Sequence, residues 1–153
     1  VGAVIEDDKG RILLVKHKKE RGGYWQGKWI CPGGGLEYGE EIKEGIKREV
    51  KEETNLEIEL ITPLVPFERI VKTDKPGGLK NRNKLIASST FAAEPQTSLH
   101  VIYLDYIARL LGSELRVASN VGEALWVEKG NIMNIWQELH EATQSSLKIA
   151  GIV

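Results

Sequence analysis

The sequence contains a single cysteine, Cys31, among its 153 residues. One cysteine rules out a disulfide bond within the chain and fits a reducing compartment. No apolar run is long enough to cross a bilayer, and no signal-peptide pattern begins the sequence. We therefore expect a cytoplasmic protein without a membrane partner.

An excess of charge of one sign is also missing. The 21 Lys and Arg residues nearly balance the 22 Asp and Glu residues, and the formal net charge is −1. This balance gives no general attraction to nucleic acid, so we expect no stable nucleic acid partner, and any affinity for an anion has to come from a local site. The length and the 41% hydrophobic content predict one domain, residues 1–153, with its own core.

The first half of the chain alternates strand-like and helical patterns. Two strands are predicted around a turn at residues 7–10, and a short strand before Pro32. A helix is predicted from about Glu40 to Thr54. Residues 56–71 then have the pattern of an edge or bent strand that Pro63 and Pro66 interrupt.

The second half is predicted to add strands and then a helix. Residues 72–83 are typical of a loop, and residues 84–91 of a strand. The segment LHVIYLDYIARLL, residues 99–111, is apolar on both faces and predicts one central strand. A short strand at EALWV, residues 123–127, and a helix over residues 131–147 follow. This order predicts an α+β fold with a mixed sheet between helices.

The most informative stretch is GGGLEYGEEIKEGIKREVKEETNL, residues 33–56. On a helical wheel Ile42, Ile46 and Val50 form an apolar stripe, and three glutamates lie beside its C-terminal end: Glu49, Glu52 and Glu53. Carboxylates that lean inward together repel one another and are costly to bury unless a cation compensates them. Oxygen ligands favour Mg²⁺ or Mn²⁺.

Two structural alternatives compete with this interpretation. A helix rich in Glu and Lys is commonly a solvated face with pairs such as Arg48–Glu52, and a Pro-Gly-Gly-Gly run is commonly only a turn. Together, however, a glycine loop that admits a phosphate or metal and an acidic helix behind it favour metal-assisted attack of water on a phosphoanhydride.

These residues resemble the Nudix hydrolase family, the MutT-like proteins, whose pattern is G-x5-E-x7-R-E-U-x-E-E-x-G-U with U a bulky aliphatic residue. The matching positions are Gly34, Glu40, Arg48-Glu49-Val50, Glu52-Glu53 and Leu56. Asn55 stands where the family has glycine, a mild departure because asparagine tolerates positive φ. GKWICPGG and EALWV also resemble segments of the family.

The resemblance implies a mixed β-sheet sandwiched between α-helices and a role for each residue of the pattern. Glu49, Glu52 and Glu53 would bind Mg²⁺ or Mn²⁺ with the Gly33 carbonyl, and Arg48 would orient them. Glu40 would support the loop. The general base would be Glu52, Glu53 or a glutamate from a later loop, for which Glu123 is the candidate. Glu123 is equally well explained as a solvated residue before a strand.

The resemblance also implies a small nucleotide substrate, a nucleoside diphosphate linked to another group. The candidate substrate-binding residues are Gly34, Gly35, Trp25, His17 and Arg69. Trp25 is equally well explained as a cover for the core edge, and Arg69 as part of a basic surface segment with Lys72, Lys80, Arg82 and Lys84.

We favour a (deoxy)nucleoside triphosphate as the substrate, cleaved to a nucleoside monophosphate and pyrophosphate. ADP-ribose or another nucleotide sugar is the alternative within the enzyme class. A nucleotide-binding sensor that cleaves nothing is the alternative from another class. Dimers are common in the family, which makes a homodimer a further possible partner arrangement.

Overall fold

The computed structural model describes residues 1–19, 24–25, 27–72, 98–119 and 121–153, without the side chains of Lys72 and Ser98. The loop expected over residues 72–83 and the strand expected over residues 84–91 lie outside the described residues, except for Lys72, which ends a strand. In chain order the elements are β1 (Gly2–Glu6), β2 (Arg11–His17), β3 (Trp29–Ile30), α1 (Ile42–Thr54), β4 (Glu57–Pro63), β5 (Phe67–Lys72), β6 (Ser98–Tyr103), β7 (Asp105–Gly112), β8 (Val121–Glu128), a 3-10 helix (Lys129–Glu138) and α2 (Glu141–Ile149).

Most of the described strands form one mixed sheet in the order β3-β2-β1-β7-β4, with β8 paired to β2. Strands β1 and β7 run parallel, whereas β2 runs antiparallel to β1, β3 and β8, and β4 antiparallel to β7. Strands β5 and β6 form a separate antiparallel ribbon. The predicted mixed sheet is confirmed.

The turn between β1 and β2 follows from local chemistry. The Asp7 carboxylate accepts hydrogen bonds from the backbone N–H of Lys9 at 3.0 Å and of Arg11 at 2.8 Å. Gly10 has φ +74°, a conformation that glycine adopts without steric cost. These bonds close the turn and bring Glu6 opposite Ile12, so the predicted hairpin is confirmed.

Helices cover both faces of the sheet. On one face, α1 packs Ile46 and Val50 against strand residues that include Ile5 and Leu13. On the other face, residues of the 3-10 helix and α2 such as Ile132 and Leu147 pack with a second set of strand residues. This layered arrangement is the α+β sandwich that the sequence predicts. No helix among the described residues is long and apolar enough to cross a membrane.

The prediction of one central strand over residues 99–111 is wrong for its first half. The segment divides at Leu104 into β6, in the two-stranded ribbon, and β7, between β1 and β4 in the main sheet. Continuous apolar character indicated burial on both faces, but the Ile102 side chain is 59% exposed on the ribbon. The central position holds for β7 alone.

The prediction of one helix over residues 131–147 also needs correction. A 3-10 helix ends at Glu138, and α2 begins at Glu141. Between them His140 is extended, and its Nδ1 accepts a hydrogen bond from the Ala142 N–H at 3.1 Å. This N-cap begins a new helix, so the apolar spacing continues across a break. Helix α1 begins at Ile42, two positions after the predicted start, and Ile42 is 39% exposed.

Candidate active site

The acidic pattern occupies the last two turns of α1, and its end is fixed by Asn55. Asn55 has φ 62°, and its backbone N–H donates to the Lys51 carbonyl at 2.9 Å. The Asn55 side-chain amide donates to the Glu114 carbonyl at 3.0 Å. The expectation that asparagine supports positive φ here is confirmed, and the helix ends directly after the two adjacent glutamates.

Glu53 lies where α1, β2 and the glycine loop meet. Its side chain is only 3% exposed. Its Oε1 lies 2.7 Å from Nε2 of His17, the last residue of β2. Its Oε2 accepts the backbone N–H of Gly33 at 3.1 Å. Both side-chain oxygens therefore have a hydrogen-bonding partner, which offsets much of the cost of burying this group.

Glu49 lies one turn earlier on α1, against the backbone of the glycine loop. A Cβ atom at Gly34 would collide with the Glu49 carboxylate, so only glycine permits this approach. Burial raises the pKa of Glu49, and the nearby Glu53 and Glu52 carboxylates raise it further, while Arg48 lowers it. The Glu49 carboxylate thus experiences the negative charge of both neighbouring glutamates.

Arg48 connects the loop to the helix. Its Nε and Nη2 donate to the two oxygens of Glu40 at 2.7 and 3.0 Å, and Nη2 also donates to the Gly35 carbonyl at 3.1 Å. Its Nη1 lies 3.0 Å from Glu49 and 3.3 Å from Glu52. A planar guanidinium can serve several acceptors at once, and here it holds three carboxylates and a carbonyl.

Glu40 is held by this arginine and by its own loop. The hydrogen bonds from Arg48, followed by one from the Glu37 N–H, lower the pKa of Glu40 to about 2. Gly45 of α1 allows the loop to pack closely, because a Cβ there would meet Leu36 and would lie 2.8 Å from Oε2 of Glu40. This geometry is compatible with the expected support of the loop by Glu40, a role that stays a prediction.

The three glutamates do not converge as closely as the helical wheel indicates. Glu53 turns toward His17 and Gly33, whereas Glu52 is 59% exposed and turns toward Arg48. Within the described part of the chain, no three His, Cys, Asp or Glu side chains are arranged to hold a metal ion. The expectation of one inward-leaning triplet is wrong for Glu52, because its side chain is exposed while that of Glu53 is buried.

The donor set nevertheless fits a divalent cation in its chemistry. Glu49, Glu52 and Glu53 supply carboxylate oxygens on adjacent turns of one helix, and the backbone of the glycine loop lies against one of them. Such oxygen ligands suit hard cations. Burial is the main reason that the pKa of Glu49 is raised, and a cation bound beside this carboxylate would favour its ionised form.

The structure does not bring Glu123 to these glutamates. It pairs with Lys16 across β2 and β8, where its carboxylate lies 4.0 Å from the lysine Nζ, and its side chain is 65% exposed. Strand alternation places it on the face of Val127, whereas Ala124 and Trp126 pack on the face covered by α1. Glu123 is solvated, as in the alternative explanation, but it lies within β8 and not before a strand.

Trp25 lies in an aromatic cluster. Its ring centroid is 5.5 Å from that of Tyr24 and 6.4 Å from that of His140, and it also packs against buried residues around Val15 and Ile30. Tyr24 meets His140 edge-on at 4.4 Å. Sequence reasoning did not find His140, since no local signal joins it to a loop more than a hundred residues earlier. Substrate binding by Trp25 stays a prediction.

Arg69 is held by α2. Its guanidinium donates to the Glu141 carboxylate at 2.9 Å, to the Glu141 carbonyl at 3.2 Å and to the Ser145 hydroxyl at 2.9 Å. These bonds tie strand β5 to the helix, a role that sequence reasoning missed. Lys80, Arg82 and Lys84 lie outside the described residues.

Cys31 has the environment of a packing residue. Burial, and then the nearby Asp105 carboxylate, raises the pKa of its thiol. A thiol of raised pKa is a poor nucleophile at neutral pH. This environment argues against a nucleophilic role for Cys31.

Known proteins share both the sequence pattern and the fold. Residues 1–146 match the NUDIX domain family. The nucleoside triphosphatase NudI of Escherichia coli O17:K52:H18 (strain UMN026 / ExPEC) is 26% identical over 98% of this chain and 94% of its own length. A MutT NUDIX hydrolase from Burkholderia pseudomallei superimposes with a TM-score of 0.68 at 23% identity, over 96% of this chain and 92% of its own.

A second solved structure supports the same fold. The NUDIX hydrolase from Nitrosomonas europaea has a TM-score of 0.68 at 19% identity, covering 98% of this chain and 85% of its own. The NUDIX domain match and the similarity to a nucleoside triphosphatase show a hydrolase that acts on pyrophosphate bonds. The chain belongs to the Nudix family, whose members use divalent cations and act on small nucleotide substrates.

Proposed function

We propose that the chain is a Mg²⁺- or Mn²⁺-dependent nucleoside triphosphate pyrophosphohydrolase that releases a nucleoside monophosphate and pyrophosphate. The observation that carries the substrate class is the full-length similarity to a relative named nucleoside triphosphatase, 26% identical over 98% of this chain. The arrangement of Glu49 and Glu53 against the glycine loop supports chemistry at the same place. ADP-ribose and nucleotide sugars enter the test as competing substrates.

Each residue of the site has a defined task under this proposal. Glu49, Glu52 and Glu53 would hold the cation together with the Gly33 carbonyl. A bound cation neutralises charge on the phosphate oxygens. Arg48 keeps Glu40 and the Gly35 carbonyl in place, and so fixes the loop. Gly34 and Gly35 let the phosphates approach the backbone closely.

The proton of the attacking water has a candidate acceptor in Glu52. Both oxygens of Glu53 already accept N–H donors, whereas the Glu52 side chain is 59% exposed. The water oxygen forms a bond to phosphorus, the bridging P–O bond between the α- and β-phosphates breaks, and pyrophosphate leaves with the electron pair. The Glu52 carboxylate takes the proton from the water.

The test is incubation of the purified chain with a panel of nucleotides. The panel contains ribo- and deoxyribonucleoside triphosphates, ADP-ribose and a nucleotide sugar, each with MgCl₂ or MnCl₂, and anion-exchange chromatography separates the products. We expect a monophosphate and pyrophosphate from a triphosphate, and no products in excess EDTA. Faster cleavage of ADP-ribose, release of orthophosphate, or activity in EDTA would contradict the proposal.

A matched pair of variants assigns the activity to the site. Glu53→Gln removes one carboxylate of the site, and Glu44→Gln makes the same chemical change on the solvated face of α1, where Glu44 pairs with Lys47. Only the first variant is expected to lose activity. Tight nucleotide binding without products across the panel would instead indicate the sensor function.

A further inference from the structure

The contact between His17 and Glu53 joins β2 to the acidic helix from inside the protein. The His17 side chain is 9% exposed, and its Nε2 lies 2.7 Å from Glu53 Oε1. The Gly33 N–H approaches the other oxygen, Oε2, at 3.1 Å. The two oxygens of the Glu53 carboxylate therefore have different partners. Oε1 contacts His17 of β2, and Oε2 contacts Gly33 of the glycine loop.

The direction of the hydrogen bond follows from its partners. An ionised carboxylate only accepts hydrogen bonds, so Nε2 of His17 carries the hydrogen and donates it. A carboxylate oxygen that accepts one hydrogen bond keeps another lone pair. The donation from His17 therefore fixes the rotation of the Glu53 carboxyl group about its terminal bond.

The sheet has a local irregularity at His17. The pairing of β2 with β8 passes from Lys16–Glu123 to His17–Val121, which leaves Gly122 as an extra residue in β8. A Cβ at Gly122 would lie 3.2 Å from the Lys16 carbonyl, a tight contact that glycine avoids. Bulges of this kind redirect side chains beside functional sites. The bulge thus lies at the strand position from which the imidazole reaches Glu53.

We propose that His17 is a positioning residue, which orients Glu53 for the divalent cation by donating Nε2–H to Oε1. This role rests on the proposed function and deepens it. It replaces the direct substrate contact expected for His17 from the sequence, since this imidazole is buried and directed at a carboxylate of the site. Partners that orient metal ligands in this way typically change metal affinity or activity by about 10- to 100-fold when they are removed.

The experiment compares two replacements of His17 in the full chain. His17→Gln keeps an N–H donor on a side chain of similar reach, and His17→Leu keeps apolar bulk without a donor. Three quantities are measured: Mn²⁺ affinity without nucleotide by isothermal titration calorimetry, kcat and KM with the nucleoside triphosphate, and the free energy of unfolding in EDTA. His100→Leu is the matched control, because His100 forms a similar 2.8 Å contact with Glu68 on the exposed ribbon.

We expect His17→Leu to weaken Mn²⁺ binding by about 10- to 100-fold and to lower kcat more than it raises KM. His17→Gln should recover most of both losses, and His100→Leu should bind Mn²⁺ as the unmodified chain does. A purely structural role would lower stability in EDTA without the recovery of Mn²⁺ affinity by glutamine. If His17→Leu fails to fold, His17→Asn, whose amide is too short to reach, replaces it.

Three results would overturn the proposal. They are unchanged Mn²⁺ affinity in His17→Leu, an equal loss in His17→Gln, and a rise in KM alone, which would indicate direct substrate contact. Failure of the proposed function gives a different result. In that case the unmodified chain cleaves no nucleoside triphosphate, while the Mn²⁺ titrations still report whether His17 orients Glu53.

Discussion

The two faces of the sheet each contain a buried carboxylate and an arginine, arranged for different purposes. On the α1 face Glu53 accepts from His17 and Gly33, and Arg48 binds three further carboxylates. On the α2 face Asp105 accepts the Ser146 hydroxyl at 2.7 Å, and among the described residues Arg69 binds one carboxylate, that of Glu141. Several carboxylates share one arginine on the α1 face. On the α2 face, Asp105 and Glu141 each have a separate partner.

The two buried carboxylates, Glu53 and Asp105, therefore differ in the charged groups that surround them. Burial raises the pKa of Asp105, and its Ser146 and Gly2 hydrogen bonds lower it only in part. The residue connects β7 to α2 and to β1, far along the chain from both. Glu53 instead belongs to a group of three glutamates within five residues of α1, which would together offer a cation several oxygen ligands.

The largest expected effect comes from the α1 face. Glu52→Gln and Glu53→Gln should each lower kcat by between about 10²- and 10⁴-fold, because a proton acceptor or a metal-binding oxygen is lost while the side-chain shape is kept. Steady-state kinetics with Mg²⁺ measures this effect. Asp105→Asn is the control for a change at a buried carboxylate and should keep the activity. Wild-type rates in both glutamine variants would contradict the assignment of activity to the glutamates of the α1 face.

The second prediction uses the pH dependence of the Arg48–Glu40 pair. Hydrogen bonds from Arg48 lower the pKa of Glu40 from its ordinary value of 4.5 to about 2. The stability from this pair is therefore present above pH 4.5 and is lost as the pH falls toward 2. Denaturant unfolding from pH 6 downward measures it.

In the same experiment, Glu40→Gln should be less stable than the unmodified chain at neutral pH. The difference should shrink as the pH falls through this interval, because the unmodified chain then loses its ionised Glu40. If the free energies of unfolding of the two proteins changed with pH in parallel, the ionised form of Glu40 would contribute no stability through Arg48.

The third prediction has the opposite sign and concerns the α2 face. Because burial raises the pKa of Asp105, the folded chain holds this proton more tightly than the unfolded chain does. Its contribution favours folding at low pH and is lost as the pH rises above the ordinary value of 3.8. Asp105→Asn avoids this loss, so its stability relative to the unmodified chain should increase with pH. A relative stability that falls with pH would contradict this.

The smallest effect is expected at Arg69. Removing its bonds to Glu141 and Ser145 in Arg69→Ala should lower the free energy of unfolding by about 1 kcal/mol, as is typical of partly exposed pairs, with KM unchanged. Glu141→Gln removes the ion pair from the other side and should cause a similar or smaller loss. A several-fold rise in KM in Arg69→Ala alone would instead support the substrate-binding prediction.

The sequence predicted what depends on local spacing. The hairpin at Asp7, the helix that carries Glu49 and Glu53, and its termination at Asn55 each follow from a few neighbouring residues. The division at Leu104 was missed because apolar alternation continues unbroken while the strand changes sheets. Periodicity reports which side chains prefer burial and does not report which partner strand covers them.

The site shows the same limit. The pattern identified the glutamates and Arg48, but the helical wheel placed Glu52 with Glu53, whereas the two side chains turn to different donors. His17 was noticed as a residue near the cleft, and its bond to Glu53 spans 36 positions in the chain. Contacts between distant segments, such as those of Arg69 and His140, leave no trace in a single sequence.

The hydrogen bonds of Arg48 to both Gly35 and Glu40 also limit which sequence changes this loop can accept. The four residues between them, 36–39, form an arch whose two ends are clamped by one guanidinium. Tyr38 within this segment is fully exposed, so we expect substitutions at this position to be tolerated. An insertion or deletion between Gly35 and Glu40 would move one of these two partners out of reach of Arg48. We therefore expect the length of this segment to be conserved more strictly than the identity of its residues.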